Sequence, residues 1–155
     1  MPQPRTRELS WIDPGLSADA QRQLTWAADS IFAGTPATSL ALWLDDGSRT
    51  VLVRGKVPDA LVDADIRALV VPGPLLRKAV AKASGAPEYL PALQILPGRV
   101  EFGYFPELTQ ALLIVPLPGR AGACVIGADR SRCFEKEDVE WVRAVAARVG
   151  RVVGA

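Results

Sequence analysis

The amino-acid sequence predicts one α/β (α+β) domain in which a central antiparallel β-sheet is flanked by helices. A chain of 155 residues fits one domain, and 49% hydrophobic residues are enough for a core. Strand-like segments occur as neighbours joined by tight turns, which favours hairpins over parallel crossovers. Helical periodicity lies at both ends of this strand region. We expect residues 1–14 to form an extended lead-in and residues 15–155 to form the domain.

Helical spacing of apolar residues predicts four helices. The first spans residues 18–32 and has Ser17 as its N-cap. A short helix is expected over residues 58–70, and another over residues 75–84. The last helix has acidic residues at its start and arginines at its end, which complements the helix dipole. Its valines recur at steps of three and four residues: Val142, Val145, Val149 and Val152.

Alternating or continuous apolar runs predict two β-hairpins. The four strands are residues 39–44, 50–54, 111–116 and 123–128. Asp46-Gly47 joins the first pair and Pro118-Gly119 begins the turn of the second, because such dipeptides favour tight turns. Between the hairpins lies an irregular, proline-rich stretch, residues 88–110, in which the alternation over residues 100–105 predicts one more short strand.

The composition excludes several classes of function. Lys and Arg number 18 against 17 Asp and Glu, so the chain lacks the basic excess of a nucleic-acid-binding domain. There is no histidine, which removes the imidazole base, the Ser-His and Cys-His pairs and the histidine ligand of haem. The sequence therefore predicts neither catalytic residues nor a metal site. No apolar run reaches the roughly 20 residues of a spanning helix.

The second half of the chain resembles the end of GAF domains. The resemblance rests on residues 115–117 (VPL), a Pro-Gly turn, residues 125–127 (VIG), residues 132–134 (RCF) and a following helix that contains Asp138. It implies a GAF-like fold in which the N- and C-terminal helices pack together and form a dimer seam. Glu135 stands where GAF domains commonly have a Ser or Thr N-cap, so we expect a weaker cap there.

Three segments resemble a narrower family, the proteins for cofactor assembly of complex C in chloroplasts and cyanobacteria. They are TPATS at residues 35–39, LPGRVEF at residues 96–102 and PELTQ at residues 106–110. The resemblance implies a non-catalytic assembly factor that assists covalent haem attachment to cytochrome b of the photosynthetic cytochrome complex. It implies a location on the stromal side of the chloroplast thylakoid membrane, or the cytoplasmic side in cyanobacteria.

The same resemblance implies partners for the domain. They are apocytochrome b and a related GAF-like subunit, with haem as a transient ligand and no nucleic acid. The family is anchored by N-terminal helices, so the present chain is expected to correspond to the soluble part, with anchoring through segments outside it. A small-molecule-binding GAF sensor is the alternative function. A third hypothesis, a methionine sulfoxide reductase that uses Cys124 and Cys133, suffers from the acidic surroundings of Cys133, which would raise its thiol pKa.

The irregular stretch supplies the candidate binding residues. On a half-buried strand Arg99 and Glu101 would face the same side, where they either contact a partner or a haem carboxylate or form a solvated edge with an internal ion pair. Phe102 and Tyr104 either line a pocket for a flat ligand or close the core. Gln110 completes the set. On the last helix, Val139, Val142 and Val149 are candidate interface residues that the sequence cannot divide between core and dimer seam.

Overall fold

The computed structural model describes residues 6–44, 49–59, 63–82, 85–118 and 122–153. The strands in these ranges are β1 Thr6–Ile12, β2 Ser39–Leu44, β3 Arg49–Pro58, β4 Glu88–Leu90, β5 Ala111–Pro116 and β6 Gly122–Ala128. The α-helices there are α1 Ala18–Gly34, α2 Pro74–Ala81 and α3 Lys136–Val153. Short 3-10 helices span Asp63–Ala68, Leu93–Ile95 and Pro97–Phe102.

The strands form one antiparallel sheet in the order β1-β3-β2-β6-β5-β4. Both predicted hairpins are confirmed, β2 with β3 and β5 with β6. The Asp46-Gly47 turn lies outside the described residues, as does Gly119 of the second turn. The two hairpins join through β2 and β6, where Leu42 lies opposite Cys124. This long-range pairing makes one sheet of two local units.

The sheet is covered on both faces, so its central strands are buried throughout. Every residue of β2 and β6 is buried. Leu40, Leu42 and Leu44 belong to the core beneath α1 and α3, whereas Ala41 and Trp43 belong to a second core beneath α2 and the two 3-10 helices that follow β4. The α+β expectation, with helices on both faces, is therefore confirmed.

The helices α1 and α3 pack together in antiparallel fashion. Trp141 Nε1 donates a hydrogen bond of 3.0 Å to the carbonyl oxygen of Ser30, and Arg148 Nε donates one of 3.2 Å to Gln23 Oε1. The partner position on α1 thus moves backwards as the position on α3 moves forwards. The predicted N-cap of α1 is confirmed, because Ser17 Oγ accepts from the amide of Ala20 at 3.1 Å.

The predicted lead-in is a strand of the sheet over Thr6–Ile12 rather than a segment outside the domain. It pairs with the full length of β3, from Thr6 opposite Pro58 to Ile12 opposite Leu52. The strand β3 extends four residues beyond the predicted end at residue 54, and an uncovered edge of that length would expose its hydrogen-bonding groups. The alternation of Leu9 and Trp11, both packed on a small core with Val53, was the pattern that predicts this strand.

Two other predictions were wrong in type. The expected helix over residues 58–70 is a 3-10 helix confined to Asp63–Ala68. The expected strand over residues 100–105 lies in the 3-10 helix Pro97–Phe102 and the turn after it. The reason is the sheet edge: β4 already occupies the free side of β5, so this segment folds over the face of the sheet instead.

A buried carboxylate fastens the end of β1. Asp13 is 2% exposed, and its Oδ1 accepts from the amide of Gly15 at 2.9 Å. Arg67 lies 2.8 Å from the same oxygen, and Arg49 lies 3.7 Å from Oδ2. Asp13 therefore ties β1 to the start of β3 and to the first 3-10 helix, which stabilises the edge of the sheet.

Candidate partner- and ligand-binding site

The candidate site is a cleft under the segment of residues 93–109, on the sheet face opposite α1 and α3. Its volume is about 760 Å³, and its far wall is the end of β3 at Pro58. Phe102 and Phe105 supply apolar lining, while Gln94 and Arg99 stand among the polar lining groups. The cleft combines an apolar floor with a few polar groups, which is the usual chemistry of a small-molecule or peptide site.

Arg99 is exposed and held to its own segment. Its Nη1 donates to the carbonyl oxygen of Gln94 at 2.6 Å and to Gln94 Oε1 at 3.1 Å. Gln94 in turn donates through Nε2 to the carbonyl oxygens of Thr109, at 2.7 Å, and Glu107, at 3.0 Å. A guanidinium has five N–H donors, and both bonds to Gln94 come from one nitrogen. Arg99 therefore keeps donors for an incoming carboxylate.

Glu101 does not share a face with Arg99, because the segment is a 3-10 helix, in which residues two apart point in different directions. Its carboxylate caps α2 instead. Glu101 Oε2 accepts from the amide of Leu75 and Oε1 from the amide of Leu76, each at 3.0 Å. The local cap, Gly73, offers no side chain, and a Cβ placed there would lie 2.7 Å from the Cβ of Glu101. Glu101 is thus a structural residue that fixes the candidate site to α2.

The aromatic residues of this segment pack on one another edge to face. The ring centroids of Phe102 and Tyr104 are 6.1 Å apart, and those of Tyr104 and Phe105 are 5.0 Å apart. Phe102 and Phe105 are core residues and cleft lining at once, so both interpretations of the aromatic cluster hold for them. Tyr104 lies in the core only. Burial raises the pKa of its hydroxyl far above the usual range, and the nearby charge of Glu101 raises it further.

Gln110 links the candidate site to the sheet through its main chain. Its amide donates to the carbonyl oxygen of Ala128 at 2.8 Å, and its carbonyl oxygen accepts from the amide of Leu93 at 2.8 Å. Its neighbour Thr109, which the sequence did not single out, lines the cleft. The absence of a side chain at Gly127 makes room, because a Cβ there would lie 3.0 Å from Thr109 and 3.1 Å from Phe105.

Exposed apolar side chains surround this segment, and sequence reasoning missed them. Ile95 is 78% exposed, Val100 is 79% exposed and Leu108 is 50% exposed. We call these three residues the apolar rim. Their position in a proline-rich stretch, outside any apolar periodicity, was the available indication. Apolar groups left in water beside a cleft are typical of a protein-binding surface.

The candidate interface residues of α3 point largely into the domain. Val142 and Val149 are fully buried in the core beneath α1 and α3, and Val139 is half-buried against it. Their spacing follows the core-facing side of the helix, so any surface that α3 presents to a partner is formed by other residues. The start of α3 is capped from within: Asp138 Oδ2 accepts from the amide of Glu135 at 2.8 Å.

Neither cysteine is set up as a nucleophile. Burial raises the pKa of the Cys124 thiol to about 12. Burial is also the main cause that raises the pKa of Cys133, with Asp129 and Asp138 adding to it and Arg130 opposing it. The predicted direction for Cys133 is therefore confirmed, but desolvation rather than its acidic neighbours is the larger cause.

Two searches of the described residues bear on cofactors and membranes. Among them, no three or more Cys, Asp or Glu residues come together as metal ligands. Within the same part of the chain, every helix is too short or too polar to cross a bilayer.

The sheet order, the paired terminal helices and the cleft define a GAF-like domain. The GAF domain/HD domain protein from Geobacter sulfurreducens superposes with a TM-score of 0.64 at 14% identity, over 88% of this chain and 92% of that one. The type II free methionine-R-sulfoxide reductase from Thermoplasma acidophilum gives 0.62 at 17% identity, over 87% and 92%. The PixJ GAF domain from Thermosynechococcus elongatus, in its blue-light absorbing form, gives 0.59 at 13% identity, over 90% and 89%. At these identities the likeness concerns the fold alone.

The sequence places the chain more narrowly. It belongs to the CCB2/CCB4 family of proteins for cofactor assembly of complex C, whose model matches residues 2–149. A curated relative from Arabidopsis thaliana, the chloroplastic cofactor assembly of complex C protein CCB4, is 28% identical over 154 residues. These cover 97% of this chain and 50% of the relative, so the chain spans about half the length of the protein it matches.

Proposed function

We propose that this domain is a non-catalytic assembly factor for the cytochrome b subunit of the photosynthetic cytochrome complex. Family membership supports the assembly role. The single structural observation that carries the proposal is the apolar rim, Ile95, Val100 and Leu108, which stays in water beside an open cleft. Such a surface suits docking of an apolar protein segment better than turnover of a substrate.

The proposed partners are apocytochrome b and a related GAF-like subunit. The segment of residues 93–109 is a firm docking platform, because Glu101 ties it to α2 and Gln94 ties its two ends together. Haem would be a passing substrate of the assembly process. Arg99 would meet a haem carboxylate at the edge of the cleft, while Phe102 and Phe105 offer apolar surface to a flat ring. The proposed location is the stromal side of the thylakoid membrane, or the cytoplasmic side in a cyanobacterium.

The test is affinity purification from photosynthetic membranes of cells that produce a tagged, full-length protein. The variant Ile95→Ser/Val100→Ser removes most of the apolar rim at exposed positions, where substitutions usually change stability by no more than about 0.5 kcal/mol. Val71→Ser is the matched control, because Val71 is also exposed and lies outside the 93–109 segment. We expect wild type and control to recover cytochrome b and a related subunit, and the rim variant to lose at least the cytochrome.

A second readout follows haem directly. Cells that carry only the rim variant should accumulate less cytochrome b with covalently attached haem, detected by haem staining after denaturing electrophoresis. Equal recovery of partners by wild type and rim variant would refute the rim as the docking surface. Failure of the wild type to recover any cytochrome component would refute the assembly proposal itself.

The cleft supports one alternative, a small-molecule-binding GAF domain. Its volume of about 760 Å³ would hold a ligand of nucleotide or tetrapyrrole size. A thermal-shift screen of cyclic nucleotides, bilins and haem tests this, because a ligand at 100 times its Kd stabilises by about 2.7 kcal/mol. A ligand that raises the Tm of wild type but not of Arg99→Ala would favour the sensor, whereas the absence of any shift would count against it.

A further inference from the structure

The outer face of α3 carries a stripe of exposed residues that the fold leaves without a partner. Successive residues of an α-helix turn by about 100°, which brings six exposed positions together opposite the buried valines. They are Glu137, Glu140, Trp141, Ala144, Arg148 and Arg151. We call this set the α3 stripe. Trp141 is 43% exposed, an unusual position for so large an apolar group.

The charges of the stripe are arranged symmetrically about Ala144. Glu140 precedes it by four residues and Arg148 follows it by four; Glu137 precedes it by seven and Arg151 follows it by seven. In the described part of the chain, the two glutamates and Arg151 make no ion pair. One half of the stripe is therefore acidic, the other half is basic, and the centre is small.

A second copy of α3 laid antiparallel, with a two-fold axis at Ala144, would satisfy this pattern. At 1.5 Å of rise per residue, Glu140 and the other copy's Arg148 would lie at the same height, about 6 Å from the axis. Glu137 and Arg151 would meet about 10 Å from it. A parallel arrangement would instead set like charges against each other, which is unfavourable. The short side chain of Ala144 permits the close approach of two packed helices.

The stripe is also held in place before any partner arrives. Trp141 is fixed by its hydrogen bond to Ser30. Arg148 is fixed by Gln23 and by stacking over the ring of Trp26, with 4.4 Å from the guanidinium carbon to the ring centroid. Side chains that are already ordered lose less conformational entropy when they enter an interface.

We propose that two copies of this chain associate through the α3 stripe, antiparallel and isologous, with the two-fold axis at Ala144. The self-complementary order of charges points to a second copy rather than to a different protein, because an unrelated partner would require no symmetry about one residue. This dimer goes beyond the proposed assembly function and does not depend on it. It also leaves the cleft and the apolar rim, on the other face of the sheet, open.

The experiment uses sedimentation equilibrium of the full chain and of two charge-reversed variants. Glu137→Arg/Glu140→Arg makes the stripe wholly basic, and Arg148→Glu/Arg151→Glu makes it wholly acidic. We expect wild type to be a dimer whose Kd rises at least tenfold in about 1 M salt, where the screening length falls to about 3 Å. Each variant alone should be monomeric, and an equimolar mixture should form a one-to-one heterodimer, since every charge pair is then opposite.

Controls separate the interface from the fold. Arg143→Glu reverses an exposed charge on the same helix but off the stripe, and it should remain a dimer. Because Arg148→Glu also removes the contact with Trp26, the single variants Glu137→Arg and Arg151→Glu form a second pair for mixing that leaves this contact in place. Circular dichroism should report the same helix content for all variants.

Three results would overturn the dimer. They are a monomeric wild type at about 100 µM, a concentration that populates even a weak complex, dimeric charge-reversed variants, or a mixture that stays monomeric. A monomeric wild type that pairs through the same helix with a related subunit would also overturn it. None of these outcomes touches the assembly function, which depends on recovery of cytochrome b.

Discussion

Replacing Glu101 by alanine removes the cap of α2 and tests whether this residue is structural. The first turn of α2 has few amide donors to satisfy: Pro74 has none, the amide of Arg77 bonds to Gly73, and those of Leu75 and Leu76 bond to Glu101. In the alanine variant the last two amides lose their partner. Their charged acceptor, which sits favourably at the helix N-terminus, is also lost.

The expected cost follows from these contacts. Removal of an N-cap acceptor costs about 0.5–2 kcal/mol. Glu101 accepts two bonds with a full charge, but it is half-buried, so we place the loss near about 2 kcal/mol. For a domain of this size that corresponds to a fall in Tm of about 4–8 °C. Glu101→Gln keeps one acceptor oxygen without the charge, and we expect it to lose about half as much.

Urea denaturation followed by tryptophan fluorescence measures this loss. Glu107→Ala is the control, because it removes an exposed carboxylate from the same segment and should stay within about 0.5 kcal/mol of wild type. If Glu101→Ala is as stable as Glu107→Ala, the capping argument is refuted, and Glu101 returns to the set of free binding residues.

Three further predictions concern buried polar groups. Tyr104→Phe should keep or raise the stability, by up to about 1 kcal/mol, because the hydroxyl is among the buried polar atoms of the described residues that have no hydrogen-bond partner; a thermal scan that shows a clear loss would contradict this. Asp13→Ala should destabilise by about 2 kcal/mol in urea denaturation, since it leaves Arg67 and the amide of Gly15 unpaired. The free energy of unfolding should fall as the pH rises above 9.0, because an unfolded thiol ionises there whereas folded Cys124 does so only near 12; titration of Cys124→Ala should show a shallower fall.

Two of these predictions need a control. Asp19→Ala removes an exposed carboxylate from a surface pair with Arg22, so it should change stability by less than about 1 kcal/mol; a similar loss in Asp13→Ala would mean that the buried pair contributes little. The alkaline slope due to Cys124 cannot exceed about 1.4 kcal/mol per pH unit. An unchanged slope in Cys124→Ala would assign the fall to other groups.

Much of the secondary structure was predictable because it is decided locally. Ser17 accepts a hydrogen bond only three residues away, and the two hairpins join segments that are neighbours in sequence. The segment of residues 100–105 was predicted wrongly because its alternation also suits a strand. Its conformation depends on whether β5 has a free edge, and β4 takes that edge.

The amino-acid sequence by itself determined the fold class, the family and the absence of histidine chemistry, because composition, periodicity and motifs are carried by the chain without reference to contacts. Only the tertiary structure decided which predicted site residues remain available. It made Glu101 a cap and turned Val142 and Val149 inward, since these roles depend on which surfaces meet across the sheet. For the same reason Arg99 remains at the cleft and a charged stripe lies on the outer face of α3.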